Sequence, residues 1–233
     1  MKLIFTVLSV FIGYSSFAQK TIKKRTLILK ADMLSLVNQS TFPMVQLSLE
    51  KRLSKQFSIA VEHGLQLYNI PSLKIDTSLV KWNGFRMGVE GRYYGLSRAK
   101  YRNRGPNKAS MEKYLSLNVF YRQNRYNEQV YYNKPNDSTS YSDCFGVEKK
   151  AWGINLIFGI QLTKRRFVTE FYGGVGFLNR RIRNYSREYD YNNSELDRTT
   201  DITLGDIKQQ SSLQENSGTI ANILLGIRLG LRL

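Results

Sequence analysis

The chain has 233 residues, and its 35 lysines and arginines against 18 aspartates and glutamates give a formal net charge of +17 at pH 7. Fifteen tyrosines and 17 glycines against 4 prolines are typical of a chain rich in strands. The single cysteine, Cys144, excludes an internal disulfide bond. No segment of the sequence approaches the roughly 18 consecutive apolar residues that a membrane-spanning helix needs, which excludes a protein that crosses the inner membrane with helices.

The N-terminus has the pattern of an export signal. Lys2 is followed by an apolar run over 3–12 and by small residues at Ser16 and Ala18, which a signal peptidase reads. We predict a signal peptide over 1–18 and one mature domain over 19–233. Outside the cytoplasm, the polyanions available to a basic chain are lipopolysaccharide phosphates, acidic glycans and peptidoglycan, so nucleic acid is not the expected partner.

Eight segments then alternate between apolar and polar residues with a period of two, which predicts strands with one apolar face. The first is the least regular and the last reaches the final residue. An even number of strands places both ends of a closed sheet on the same side. In chain order the segments are 27–37, 45–53, 57–67, 84–94, 114–122, 152–162, 167–178 and 218–233.

The predicted fold is all-β, an eight-stranded antiparallel up-and-down transmembrane β-barrel. Its apolar faces would meet lipid, because an arginine facing the middle of the bilayer costs about 2–4 kcal/mol. The charged residues of the opposite faces would then fill a narrow lumen and pair with one another. The predicted lumen charge network is Glu50, Arg52, Glu62, Arg86, Glu90, Arg92, Arg122, Glu170, Arg228 and Arg232.

The predicted connections differ in length at the two ends of the barrel. The outer ones are 38–42, 69–81, 125–150 and 179–217, whereas two of the inner ones, 54–55 and 163–166, are tight and only 96–110 is long. Long loops outside and short turns inside are typical of outer-membrane barrels. Alternation alone leaves a second interpretation open, a soluble periplasmic barrel that binds an apolar ligand inside.

Several segments resemble one family. They are the signal ending SFAQ over 16–19, VQLSLEKRLS over 45–54, GVEGRYY over 88–94, FGIQ over 158–161 and FYGGVGF over 171–177. In these the chain resembles the small outer-membrane β-barrel proteins of Bacteroidota. The resemblance implies the barrel fold and a place in the cell outer membrane, and it implies no particular activity.

The residues give no strong sign of catalysis. The only histidine, His63, has Leu65 and not a serine at the neighbouring position of its face, whereas a hydrolase needs a nucleophile beside its base. The alternative, a lipid-modifying enzyme that uses His63, stays open. One histidine and one cysteine give no zinc spacing, so we predict no metal and no cofactor.

Two basic clusters suggest partners. One follows the seventh segment at the expected depth of lipid A phosphates, which guanidinium groups bind well; it comprises Arg180, Arg181, Arg183 and Arg187. The other faces the periplasm and could bind an acidic envelope protein or peptidoglycan; it comprises Arg98, Lys100, Arg102, Arg104 and Lys108. The sequence therefore predicts a structural or interaction protein.

Overall fold

The computed structural model of the chain describes residues 27–37, 44–66, 79–96, 110–135, 139–188, 190, 192, 195–196 and 215–233. Strands account for most of these residues, and the one helix among them is a single turn, α1. In chain order the elements are β1 (Leu27–Asp32), α1 (Leu34–Val37), β2 (Met44–Arg52), β3 (Phe57–Gln66), β4 (Leu79–Tyr93), β5 (Ser110–Asn133), β6 (Ser140–Lys164), β7 (Phe167–Tyr185), β8 (Glu195–Leu196) and β9 (Ser217–Arg232).

Eight of these strands form one antiparallel sheet that closes into a ring. Each strand from β1 to β7 pairs with its neighbours in sequence, β7 pairs with β9, and β9 pairs back with β1. The two-residue strand β8 adds to the far end of β5, opposite Tyr132 and Asn133. The prediction of eight antiparallel strands in an all-β fold is confirmed.

The two faces of the ring have opposite polarity, and it is the interior that is polar. Along β5, Leu117 and Val119 point outward and are 53% and 47% exposed, whereas Ser116 and Asn118 point inward and are buried. Alternate side chains of a strand lie on opposite faces, so the period-two pattern of the sequence becomes this division. The ring therefore has an apolar outer surface and a charged core.

The interior narrows where tyrosine rings lie over glycines of the next strand. Tyr114 is opposite Gly159, and Tyr172 is opposite Gly226. A β-carbon at either glycine would overlap the ring of its partner tyrosine. Glycine at these two positions therefore allows large side chains to cross the interior.

The first predicted strand, 27–37, is shorter in the structure. β1 ends at Asp32, whose carboxylate accepts a hydrogen bond from the backbone N–H of Ser35 (3.1 Å). The hydroxyl of Ser35 donates to the carbonyl oxygens of Asp32 (2.9 Å) and Met44 (3.0 Å). These local bonds give the backbone an alternative to the sheet and start the helical turn α1.

The predicted outer connection 125–150 is wrong for most of its length. β5 continues to Asn133 and β6 begins at Ser140, so the two strands form one long hairpin. Most of its inward side chains are apolar, and five of these are buried: Tyr126, Val130, Tyr132, Phe145 and Val147. Two acidic side chains in the same phase, Glu128 and Asp143, are buried with them. The core continues past the predicted ends of the strands, and β7 likewise extends to Tyr185 into the predicted connection 179–217.

The two ends of the ring can be named from these connections. At the short-turn end, β2 joins β3 through 53–56, where the hydroxyl of Ser54 accepts hydrogen bonds from the backbone N–H groups of Gln56 and Phe57. β6 joins β7 there through Arg165 and Arg166. The opposite end, where β5 and β6 project, is the hairpin end. No helix in the described ranges is long and apolar enough to cross a membrane.

Candidate functional site

A buried ion network fills the middle of the interior, and Arg92 on β4 is one of its two centres. Its guanidinium contacts Glu50 on β2 (3.0 Å), Glu90 on β4 (2.8 Å) and Glu170 on β7 (2.8 Å). It also lies 4.7 Å from the ring centre of Tyr114. Arg92 is 1% exposed, so one side chain connects strands on three sides of the ring without contact with solvent.

Arg228 on β9 is the second centre. Its guanidinium contacts Glu62 (2.6 Å), Glu170 (2.7 Å) and Glu90 (3.2 Å), and its Nε lies 3.7 Å from Asp32. The group also lies 4.1 Å from the ring centre of Tyr172. Because Glu90 and Glu170 contact both arginines, the two centres form one network.

Lysine and tyrosine side chains complete the network. The ammonium group of Lys30 on β1 donates to Glu50 (2.6 Å), to Gln161 (2.8 Å) and to Glu170. The hydroxyls of Tyr94 and Tyr114 donate to Glu50 (2.7 Å) and Glu170 (2.8 Å). Ser58 and Ser116 donate to Glu50 (2.6 Å) and Glu90 (2.7 Å), while Tyr172 donates to Asp32.

The energetics of such a network depend on its completeness. Removing a charge from water costs several kcal/mol, and only close partners of opposite charge with further hydrogen bonds repay that cost. Here Glu50, Glu90 and Glu170 each have at least one cation and one hydroxyl within hydrogen-bond distance. The network therefore holds the interior in one arrangement, and losing one member would leave a buried charge without its partner.

The sequence identified most members of this network and missed some. Glu50, Arg52, Glu62, Arg86, Glu90, Arg92, Glu170 and Arg228 all take part in ion pairs. Lys30, Asp32 and Glu112, which pairs with Arg52 at 2.6 Å, were missed. The alternation of Ile28, Lys30 and Asp32 with Leu27, Leu29 and Ala31 was the signal that could have identified the first two.

Arg232 and Arg122, the other two predicted members, lie in register with the interior but outside the ion pairs of the described residues. Arg232 is opposite Ile28 near the short-turn end. Arg122 lies near the hairpin end, directly opposite Arg86 on β4 and Ala151 on β6.

Arg86, Arg122 and Arg180, named here the mouth arginines, form a row across neighbouring strands. Ala151 separates Arg122 from Arg180 on β7. The two neighbouring charges that act on Arg122 are Arg86 and Arg180, both positive. Arg86 lies 4.2 Å from the ring centre of Phe120 and is 4.0 Å from Glu62. Beside this row is a cavity of about 230 Å³, lined by Arg86, Arg122, Asn118, Gln46 and Asn222 among others.

On the exterior face at the hairpin end is a second cluster, the exterior basic cluster, made of Arg125, Glu148, Lys150, Arg181 and Arg183. Arg125 and Lys150 contact the Glu148 carboxylate at 2.6 and 2.8 Å, and Arg183 and Arg181 lie opposite Glu148 and Lys150. Two cations thus contact the carboxylate, and Arg181 and Arg183 lie beside it around a small cavity of about 40 Å³ lined by Glu148, Lys150, Arg181 and Arg183. Burial alone would raise the pKa of Glu148, but hydrogen bonds from Lys150, Arg125 and Tyr185 lower this pKa to about 2.

The predicted lipopolysaccharide contact therefore needs one correction. Arg181 and Arg183 are exposed on the exterior, and Arg187 follows the end of β7. Arg180 instead lies on the interior face, between the buried Leu178 and Ile182, because successive residues of a strand alternate sides. The predicted periplasmic contact residues, Arg98, Lys100, Arg102, Arg104 and Lys108, and the signal peptide over 1–18 lie outside the described residues.

The residues considered for catalysis are not brought together. His63 is exposed on the exterior, where its cross-strand partners are Leu47 and Met87, neither of which can orient an imidazole. Cys144 is an exposed free thiol on the hairpin. Within the described ranges, no group of three histidine, cysteine, aspartate or glutamate side chains is placed to hold a metal ion.

Comparisons of the chain with protein-family models, curated proteins and solved structures gave no match. The function is therefore inferred from the geometry of the ring.

Proposed function

We propose that the protein is an integral outer-membrane protein, an up-and-down transmembrane β-barrel whose filled lumen leaves no solute pore. It acts as a structural or interaction protein that contacts lipopolysaccharide. The observation that carries this proposal is the inverted polarity of the ring. An exterior of exposed leucine, valine and phenylalanine around a buried ion network suits lipid outside and is the reverse of what water favours.

The height of the apolar exterior supports a membrane. On β6 the outward side chains are apolar from Trp152 to Leu162, and on β7 most are apolar from Phe167 to Phe177. Ten residue steps of about 3.3 Å make about 33 Å of strand, which at the usual tilt near 40° gives a band about 25 Å tall. That height matches the apolar band of outer-membrane barrels.

Aromatic side chains mark both limits of this band. Phe57 and Tyr93 pack at the short-turn end with ring centres 5.1 Å apart. Phe85 and Tyr121 pack at 5.9 Å towards the hairpin end, where Trp152 lies opposite Tyr121 and is 55% exposed. Amphipathic aromatic rings favour the two membrane–water interfaces.

The lipopolysaccharide contact is proposed for the exterior basic cluster, which lies just beyond Trp152. Arg181 and Arg183 face the lipid side at this depth, and the Glu148 carboxylate neutralises only part of the local positive charge. Lipid A phosphates carry the complementary charge, and guanidinium groups bind phosphate through paired hydrogen bonds. The long hairpin of β5 and β6 extends past this level, where it offers a surface for an envelope partner.

The membrane proposal is tested by placing an arginine on the exterior face at two heights. Leu156→Arg, in the middle of the band, should destabilise the barrel in lipid vesicles by about 2–4 kcal/mol. Gln129→Arg, on the same face of the hairpin beyond the band, should change stability by less than about 0.5 kcal/mol. Heat-modifiable migration on gels reports the folded fraction. Equal, small effects would support a water-exposed exterior and contradict the proposal, as would release of the protein by carbonate.

The lipid contact has its own test. The double variant Arg181→Gln/Arg183→Gln should lose most of the lipopolysaccharide that copurifies with the wild type. The matched control Lys164→Gln/Arg166→Gln removes the same charge from the exposed turn at the short-turn end, so it should retain the lipid. Equal retention by both variants would show that the exterior basic cluster does not bind lipopolysaccharide.

A further inference from the structure

We propose that the mouth arginines form a binding site for a soluble phosphate-type oxyanion inside the hairpin end of the barrel. The proposal is independent of the lipid contact, because the site lies on the interior face and the exterior basic cluster lies on the other side of the wall.

Like charges lie close together in the row of mouth arginines. Arg86 and Arg122 are directly opposite on β4 and β5, and Arg180 is two strands from Arg122 in the same row. Like charges directly opposite in a sheet are destabilising. Among the described residues, Arg122 and Arg180 have no ion-pair or hydrogen-bond partner, and the carboxylate nearest to Arg86 is that of Glu62 at 4.0 Å.

Glu62, the carboxylate nearest to the row, is already paired with other groups. Its carboxylate contacts Arg228 at 2.6 Å, while Gln46 and Asn118 donate to it at 3.3 and 3.4 Å. It therefore neutralises little of the charge of the row. An added anion would offset that charge, since the attraction of an anion to two cations on either side of it outweighs the repulsion between them.

The cavity beside the row has both the space and the hydrogen-bond donors that an anion needs. The cavity of about 230 Å³ has Arg86 and Arg122 in its wall. The amide groups of Asn118, Gln46 and Asn222 also line it, and each has a second N–H beside the one that it donates to Glu62 or Asn155. A water molecule occupies about 30 Å³, so the space accommodates a phosphate with accompanying water. The Nε of Arg86 is buried without a hydrogen-bond partner among the described residues, and Phe120 holds its guanidinium plane in place.

The charge of these donors selects the ligand class. Two guanidinium forks in the wall with a third cation beside them suit a compact anion of between one and two negative charges with several oxygens, which describes phosphate at neutral pH. Asp32 and Glu62 also line this cavity. They repel an anion there, so the phosphate would lie towards the arginines.

The test uses the purified full-length mature protein in detergent, with inorganic phosphate as the probe and chloride at equal ionic strength as the reference. Wild-type protein should bind phosphate by calorimetry, and its melting temperature should rise with phosphate concentration. Arg122→Gln should weaken phosphate binding about ten-fold or more. The control Arg181→Gln removes an arginine from the other face of the wall and should bind as the wild type does.

The test is specific because the difference in melting temperature between the wild type and Arg122→Gln should change sign when phosphate is added. Without phosphate, Arg122→Gln should melt at the same temperature as the wild type or higher, because a like-charge contact is removed. With phosphate the wild type should melt higher than the variant. Arg86→Gln repeats the measurement if Arg122→Gln does not fold.

Two results would overturn the proposal. One is an equal response of wild type and Arg122→Gln to phosphate, which would reduce the effect to the general stabilisation that this salt gives folded proteins. The other is lipopolysaccharide binding that depends on Arg122 while free phosphate does not bind, which would make the ligand a lipid headgroup. Neither result affects the test of membrane insertion by Leu156→Arg and Gln129→Arg.

Discussion

The middle of the interior and its hairpin end treat charge in opposite ways. In the middle, Arg92 and Arg228 each contact three glutamates, and these groups are almost fully removed from solvent. At the hairpin end, Arg86 and Arg122 lie opposite one another beside a cavity. Charge far from water has to be neutralised by the protein, whereas charge near an opening can be neutralised by solvent or by a ligand.

The ion network and the clusters of unneutralised positive charge also suit different roles, the first rigidity and the second recognition. The ion network joins β1, β2, β3, β4, β7 and β9 across the interior, so it holds the ring in one shape. The mouth arginines and the exterior basic cluster hold excess positive charge, which is a property of binding surfaces. Three substitutions test this contrast, from the largest expected effect to the smallest.

Arg92→Met should give the largest loss of stability. It leaves Glu50, Glu90 and Glu170 short of a partner, and breaking a buried ion pair from one side costs about 3–5 kcal/mol. The control Arg232→Met removes an interior-phase arginine that has no ion pair among the described residues, so its effect should be below about 0.5 kcal/mol. Guanidinium unfolding in detergent micelles measures both. Similar losses would show that the network does not distinguish the middle from the ends.

Gly226→Ala should lower the free energy of unfolding by less, about 1–3 kcal/mol, because it overpacks the interior. The added methyl group overlaps the ring of Tyr172, which cannot move freely because it donates to Asp32 and lies against Arg228. Gly91→Ala, where no atom lies within 4 Å of the new carbon, is the matched control. The same unfolding measurement applies, and a loss no larger than that of the control would mean that the interior is loosely packed.

Loss of the Glu148 carboxylate should have the smallest effect on stability, and this effect should depend most clearly on pH. Its pKa is lowered to about 2 in the folded protein, so its contribution is complete above the ordinary value near 4.5 and is lost as the pH falls from there towards 2. Since Arg125 and Lys150 are 63% and 42% exposed, solvent screening limits the contribution to about 1 kcal/mol.

Amide exchange of the hairpin, followed by mass spectrometry, measures this contribution. Glu148→Gln should speed local opening near neutral pH and should match the wild type near pH 2. A difference between the two proteins that persists unchanged at pH 2 would exclude the carboxylate as the cause.

The sequence predicted the parts of this structure that depend on local alternation. Which residues of β2 to β7 share a face follows from a period of two, and the membrane interpretation then assigned Glu50, Glu90 and Arg92 to the interior before any pairing was known. The same pattern failed where local bonds compete with the sheet, as at Asp32 and Ser35. The pattern also continues through 125–150, which was predicted as a loop although Tyr126, Val130 and Phe145 extend the core there.

What the sequence determined by itself is which charges share one side of the sheet. Which of these charges meet was decided only by the tertiary structure. Lys30 reaches Glu170 across 140 residues, and Arg228 reaches Glu62 across 166. Shifting the register of two strands by two residues leaves every side chain on the same side of the sheet, so the period of two cannot choose between such registers. The register and closure of the ring therefore decided that Arg92 is surrounded by carboxylates while Arg122 lies opposite another arginine.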